Sequence, residues 1–324
     1  MLRKYIKNIF KKKRPCFKSY PLNKEIFWNK GFAMLCDHYE FGDINFENYN
    51  NIKKGDIVWV RGDNLKIFFD HKFDQIKEPF ILVSANSTLS LPKEILSTEI
   101  IEKINSPKIL HWFCQNCSNI TNPKISHLPL GLDFHSQYEK TSWRYKTILT
   151  PLEQEKLLLG SRNLTIENKI NLVYADFHFN NSTKLLIRRD DSIKIDRKAI
   201  YKDLKNNPAV YFEKKRIPRN ALWKEMAKYR FIISPHGSGL DCHRTWEALV
   251  LGSYVIVEKS ALDPLYKNLP VVIVDDFKEI TKDNLNIWFN QFQKEYNYNH
   301  YYQYLTYDYW INKIKEKQRS FLAI

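Results

Sequence analysis

Apolar residues recur along this chain in short dense runs, and polar or glycine-containing breaks separate them. In the first half DIVWV from Asp56, PFILVSA from Pro79, KILHWFC from Lys108 and SHLPLGL from Ser126 read as strands, because β-branched and aromatic residues favour extended backbone. The intervening segments carry helical or irregular spacing. One runs through Phe68 and Phe73; residues 91–105 read as one helix begun at Pro92. Residues 22–40, with Trp28, Phe32 and Tyr39, follow neither period. Strands separated by helical segments of this length imply a parallel sheet covered by helices, so residues 21–150 are expected to form a Rossmann-like domain.

A connection follows, with Pro151, the charged helical run EQEKLLL and a Gly160–Ser161 break; residues 151–167 are its linker. KINLVYADF then opens a second domain, residues 168–295, as its first buried strand. The polar stretch FHFNNSTKLLIRRDDS comes next, followed by the helical runs RKAIYKDLKNN and residues 221–229. At the centre lies FIISPHGSGLDCHRTWEALVLGSYVIV, residues 231–257: strand, glycine loop, amphipathic helix, strand. VVIVDD adds another strand, Thr281 is placed to cap a helix toward Tyr296, and residues 296–324 form an aromatic tail with helical pattern. Packing of that tail on the first domain is one reading of its tyrosines; a carbohydrate-stacking surface is the sharper one.

Composition narrows the classes. With 324 residues and 44% hydrophobic content the chain can bury two cores and is not a disordered one. Its net charge of +15 suggests nucleic acid, but residues 1–30 carry +9 of it and the remainder of the chain only +6. The excess is terminal, which argues against a nucleic-acid groove. Within residues 1–20, Leu2, Ile6, Ile9 and Phe10 recur at helical spacing among bases, the pattern of a helix lying on an anionic membrane surface or of a solvated terminus. The stretch is too broken for a signal peptide and too short to span a bilayer, so a cytoplasmic protein, peripheral at most, is expected. Cys16, Cys36, Cys114, Cys117 and Cys242 form no zinc-ligand pattern and read as free thiols. No metal site and no cofactor are expected.

The glycine loop carries the chemistry. Gly237 and Gly239 permit close approach of backbone, and the helix start behind them presents unpaired N–H groups and partial positive charge to an anion. At about 100° per residue, His243, Arg244 and Glu247 share one arc of the helix while Trp246 and Leu249 face another way. Asp241 is placed to cap it. Arg244 and the loop amides suit a diphosphate, and Glu247 suits paired ribose hydroxyls. The plainer alternative is a tight turn with solvated charges. A P-loop, a Gly-x-Ser-x-Gly elbow and the third glycine of a dinucleotide fingerprint are all missing from the chain's nine glycines.

The string SPHGSGLDCHRTWEALVLGSYVIVEKSALDPLYKNLPVVIVDD resembles the donor-binding half of exostosin-type glycosyltransferases, from about Asn168 to Asp276 and more weakly upstream. The resemblance implies a GT-B fold: two Rossmann-like domains facing across a cleft, with a C-terminal helix that crosses back to the first. It also implies sugar transfer from a nucleoside diphosphate donor to a glycan or other hydroxyl acceptor, inverting and without a metal-binding Asp-x-Asp, a triplet this chain lacks. Carried over by position, Ser234, His236, Gly237, Gly239, His243, Arg244 and Glu247 become donor-side residues. The resemblance also implies a phosphate-binding base after the KINLVYADF strand, for which Arg188, Arg189 and Arg197 qualify and Arg197 is preferred. His236 and Ser238 depart from residues common in such relatives, so the sugar preference does not carry over.

Ligands in open parallel sheets sit beyond the carboxyl ends of strands. In the first domain those ends hold Ser84, Asn86 and Ser87, then Gln115 and Asn116, then Asp133 and His135 in GLDFH. An attacking hydroxyl needs a base within hydrogen-bond reach, and Asp133 and His135 are the candidate catalytic residues. The plainer alternative makes Asp133 a turn cap and His135 a surface histidine. A GT-B module that binds nucleotide sugar or glycan without turnover is the other functional reading.

Overall fold

The computed structural model describes residues 19–41, 49–118, 121–179, 196–215 and 217–322. Residues 1–18, which carry most of the basic terminus, and Arg188 and Arg189 lie outside the described residues. The first lobe contains α1 (Asn29–Ala33), β1 (His38–Tyr39), β2 (Ile57–Arg61), α2 (Leu65–His71), β3 (Phe80–Ala85), α3 (Thr98–Asn105), β4 (Ile109–Cys114) and β5 (Ile125–His127). Its sheet runs in the order β1-β2-β3-β4-β5, parallel throughout. Every residue of β3 is buried, as expected of a continuous apolar run covered on both faces.

Two expectations are corrected here, and one unassigned stretch gains its explanation. Residues 91–105 are not one helix: a single 3₁₀ turn, Lys93–Ile95, is followed by extended backbone at Leu96, and α3 starts afresh where the Ser97 hydroxyl accepts the Ile100 N–H. SHLPLGL is a strand only at its start; Leu128 still donates its N–H to the Cys114 carbonyl, and the chain then leaves the sheet. The stretch after Pro21, which showed no period, is organised by partners far along the chain. Trp28 bridges Gly131, and the buried Glu155 carboxylate accepts N–H groups from Lys24, Glu25 and Ile26 and the carboxamide of Asn23.

After α4 (His135–Glu139), the connection folds as α5 (Pro151–Ser161), opened by a Thr150–Glu153 capping box. The second lobe follows with β6 (Ile170–Ala175), α6 (Arg197–Leu204), β7 (Val210–Phe212), α7 (Arg219–Met226), β8 (Tyr229–Ile233), α8 (His243–Val250), β9 (Tyr254–Glu258) and β10 (Val271–Val274). The helix expected at 221–229 is α7, two residues earlier, because Tyr229 already belongs to β8. The sheet order is β10-β9-β8-β6-β7, again parallel. Strand order reverses at β6, so the connections after β6 and β8 diverge and leave a crevice between them.

Thr281 caps α9 (Lys282–Glu295) as expected, accepting from the Asn284 N–H. The tail, α10 (Tyr298–Tyr301) and α11 (Tyr307–Leu322), then returns to the first lobe. Tyr298 donates its hydroxyl to the Val250 carbonyl of the second lobe; further along, Phe27 and Leu305, then Tyr307 and Glu25, pair by backbone, and Gln318 reaches Gly55. Two parallel α/β sheets facing across a cleft, with a terminal helix crossing back, make the GT-B arrangement. No described helix is long and apolar enough to cross a membrane.

One buried amine holds the turn after α8. Lys169, 4% exposed, donates to the Leu251 carbonyl and the Ser253 hydroxyl, and burial pushes its pKa down to about 7. An unfolded lysine titrates near about 10.4, so between those values the unfolded chain holds a proton that the folded chain does not, and stability rises with pH across the window. Urea unfolding of Lys169→Met should lose the part of that rise the parent shows from pH 7 to 9. Equal slopes in the two proteins would refute a neutral buried amine.

Candidate active site

The crevice at the strand-order reversal opens into a cleft of about 450 Å³ lined by both lobes. Its second-lobe wall has an electrostatic signature. Helices α6, α7 and α8 begin with Arg197, Arg219 and His243–Arg244, and none has an acidic residue in its first turn. Bases at the positive end of a helix dipole are unfavourable by themselves; Arg197 is offset by the Asp196 carboxylate that caps α6 and Arg219 by Asp133, whereas His243 and Arg244 open α8 without an acidic cap. Arg197 is braced from below: Nε donates to the His236 carbonyl at 2.7 Å and Nη2 to that of Pro235 at 2.9 Å. Arg244 donates Nη2 to the Asp176 carbonyl at 2.6 Å.

The two loop glycines are explained by neighbours as well as by any ligand. A Cβ on Gly237 would lie 2.9 Å from the Arg197 guanidinium, and one on Gly239 would lie 2.8 Å from the Asn116 carboxamide. The Gly237 N–H already donates to the Gly239 carbonyl, so that amide is turned inward. Ser234 and His236 do not line the cleft. They are buried beneath the loop, where the Ser234 hydroxyl accepts from Thr245 and the His236 ring donates to the Leu240 carbonyl.

Asp241 is not the helix cap. Cys242 occupies that position without a side-chain cap, and Asp241 ties the lobes together instead: its carboxylate accepts the Leu130 N–H at 2.7 Å and the Trp246 indole at 2.8 Å, while its own N–H donates to Asn116. Burial raises its pKa to about 7 against those hydrogen bonds. His243 supplies a further tie through Nδ1, 2.7 Å from the Gly131 carbonyl.

The strongest tie runs through Arg219, which the sequence reading passed over. Only 5% exposed, its guanidinium donates to Asp133 Oδ2 at 2.8 Å, to the Asp133 carbonyl and to the Tyr145 hydroxyl, and lies 3.8 Å from Glu247. Asp133 also accepts the Ser136 N–H and the Tyr145 O–H. Burial opposes its ionisation, but the neighbouring His135, Arg219 and His243 side chains and the Ser136 amide outweigh it and hold the carboxyl well below its usual range. The sequence did carry a signal for Arg219, a base at the first position of a helix, but its partner lies 86 residues away.

The two candidate catalytic residues therefore differ. Asp133 is occupied by partners, whereas His135 faces the cleft with its ring parallel to Trp28 at 6.4 Å and 6.5 Å from His243. Its Nδ1 lies 3.1 Å from Asp133 Oδ1, out of line for a hydrogen bond. Burial, against the pull of Asp133, lowers its pKa to about 4, so the imidazole is neutral at pH 7. Arg61, Asp63, Ser87 and Gln115 complete the first-lobe wall, with Asp63 paired to Arg61 and accepting from Ser87. Among the described residues no group of three or more His, Cys, Asp or Glu could hold a metal ion.

No protein-family model and no curated protein matches the chain. Solved structures align with it at low similarity. An apo structure of OtsA shares 12% identity over 90% of this chain and 75% of that one, with a TM-score of 0.41. An E. coli structure described as trehalose-6-phosphate bound with UDP-2-fluoro glucose gives 10% over 84% and 73%, at 0.38; Anabaena Alr3699/HepE in complex with UDP gives 13% over 83% and 78%, at 0.36. Likeness at this level carries no argument about chemistry.

Replacing Arg219 with alanine strands a buried carboxylate, and urea unfolding should register a loss of about 3–5 kcal/mol. The contribution of Asp133 should be complete above about pH 3.9, its unfolded value, and fade as the pH falls through the lower folded one. A loss below about 1 kcal/mol in Arg219→Ala would show that the pair is no firmer than a surface bridge.

Proposed function

We propose that the chain is a glycosyltransferase of exostosin type that moves a sugar from a nucleoside diphosphate donor to a glycan or other hydroxyl acceptor. The observation that carries this reading is the placement of the His135 imidazole on one wall of a cleft whose other wall is a glycine loop flanked by Arg197 and Arg244. A diphosphate seated on Ser238 and Gly239 would meet both guanidiniums and the start of α8. Those groups are held in place before reaction begins, so they stabilise the charge that develops as the nucleoside diphosphate departs. Glu247 lies at the same helix face, one turn further in, where its carboxylate suits ribose hydroxyls.

The acceptor hydroxyl would approach from the first lobe along Arg61, Asp63, Ser87 and Gln115 and surrender its proton to His135 as it attacks the anomeric carbon. A base on the face opposite the leaving group gives inversion in a single displacement. Asp133, fixed by Arg219 on the donor wall, stands beside His135 as a positioning residue through its charge. Arginines and helix starts carry the electrostatic work at the diphosphate, and activity is expected to persist after chelation of divalent ions.

Calorimetric titration with uridine and guanosine diphosphates tests the donor seat: Arg244→Ala should weaken binding about tenfold or more, and Glu247→Ala should weaken it as well. Unchanged affinity in both variants would remove the proposed seat. His135→Ala should keep nucleotide affinity and lose about 10²–10⁴ in kcat, and the parent's activity should decline as the pH falls through about 4. Nucleotide sugar bound by the parent without transfer or hydrolysis, across a panel of oligosaccharide acceptors, would instead identify a binding module.

A further inference from the structure

A second cavity, of about 240 Å³, lies where β5, the segment after the Asp263–Tyr266 turn, and the returning tail meet, and it shares no lining residue with the cleft. Its volume is below the range for drug-sized ligands and suits a single ring. Tyr304, Tyr309 and Trp310 form an aromatic corner, with Tyr309 edge-on to Tyr304 at 4.6 Å and to Trp310 at 5.1 Å. Trp310 is fixed by donating its indole N–H to the Tyr304 carbonyl. Lys313 lies 5.0 Å over the Trp310 ring, and Lys267 stands exposed at the rim. No carboxylate is among the described lining residues, although Glu316 is within electrostatic range of Lys313.

The wall from the first lobe contributes His127, which also interacts with the Cys117 thiol behind it. We propose that this cavity is a second ligand site, for one sugar ring bearing an anionic group, either a uronate carboxylate or a sugar phosphate. The apolar C–H face of the ring would lie on the aromatic corner, and the anion would pair with Lys267 and Lys313. A neutral aromatic corner alone would accept any sugar. The two ammonium groups select the charged one. Because its walls come from both lobes and the tail, an occupant would also bridge them.

Calorimetry with glucuronate, glucose 6-phosphate, glucose and inorganic phosphate tests the assignment. At least one anionic sugar should bind with one-to-one stoichiometry, and glucose should bind about tenfold more weakly or not at all, the difference expected of a charged hydrogen bond. The preferred anionic sugar identifies the charged group. Lys267→Ala/Lys313→Ala, whose melting temperature reports its fold, should lose that binding, while Arg244→Ala in the cleft should retain it. Dependence on Arg244 rather than on the lysines would place the ligand in the cleft and overturn the proposal. So would inorganic phosphate binding as tightly as glucose 6-phosphate, or the absence of any heat from the two acidic sugars at millimolar concentration. None of these outcomes depends on whether the cleft transfers sugar.

Discussion

The Arg219–Asp133 ion pair crosses from the start of α7 to the loop that leads into α4 and His135, and the geometry of the cleft depends on it. A buried guanidinium and a buried carboxylate each lose hydration on folding, and they are tolerated because the pair and its neighbours satisfy one another. The Tyr145 hydroxyl, the Ser136 amide and the Gln154 carboxamide complete that set. Breaking the pair would leave charge in a dry place, which makes the relative placement of the lobes a two-sided constraint. Asp241 with Leu130 and Asn116, and His243 with Gly131, repeat the device on a smaller scale.

These ties share their elements with the proposed chemistry. Asp241 and His243 flank the start of α8, so the helix that would bind the diphosphate is also the one docked on the first lobe. Gly239 approaches Asn116 so closely that a side chain would collide with it, and Gly237 does the same with Arg197. The glycines therefore serve lobe docking and the bracing of a guanidinium as much as backbone access to a ligand. Positive helix starts, arginines held by carbonyls and a neutral histidine opposite them form a polarised cleft whose charge is set before any substrate enters.

Local features were legible in the sequence and long-range ones were not. The apolar runs that became β3 and β9, the glycine loop before α8 and the Thr281 cap each follow from neighbouring residues, whose period or chemistry determines backbone state, whereas the return of the tail was expected only from the family resemblance. Residues 22–40 showed no period because Glu155, Gly131 and Leu305 organise them from elsewhere in the chain. The break at Leu96 was missed because a serine cap competes with continued helix and periodicity does not weigh that contest. Asp241 had the chemistry of a cap and the neighbours of a clamp. Arg219 offered a clue, a cation at the wrong end of a helix, but only the fold supplies Asp133 as its reason.

A crystal structure with an intact, non-hydrolysable nucleotide-sugar analogue measures the central geometry directly. Diphosphate density against Ser238 and Gly239, between Arg197 and Arg244, with the anomeric carbon turned toward His135, is the expected result. Density elsewhere, or a sugar directed away from the first-lobe wall, would contradict a catalytic face assembled by the Arg219–Asp133 tie.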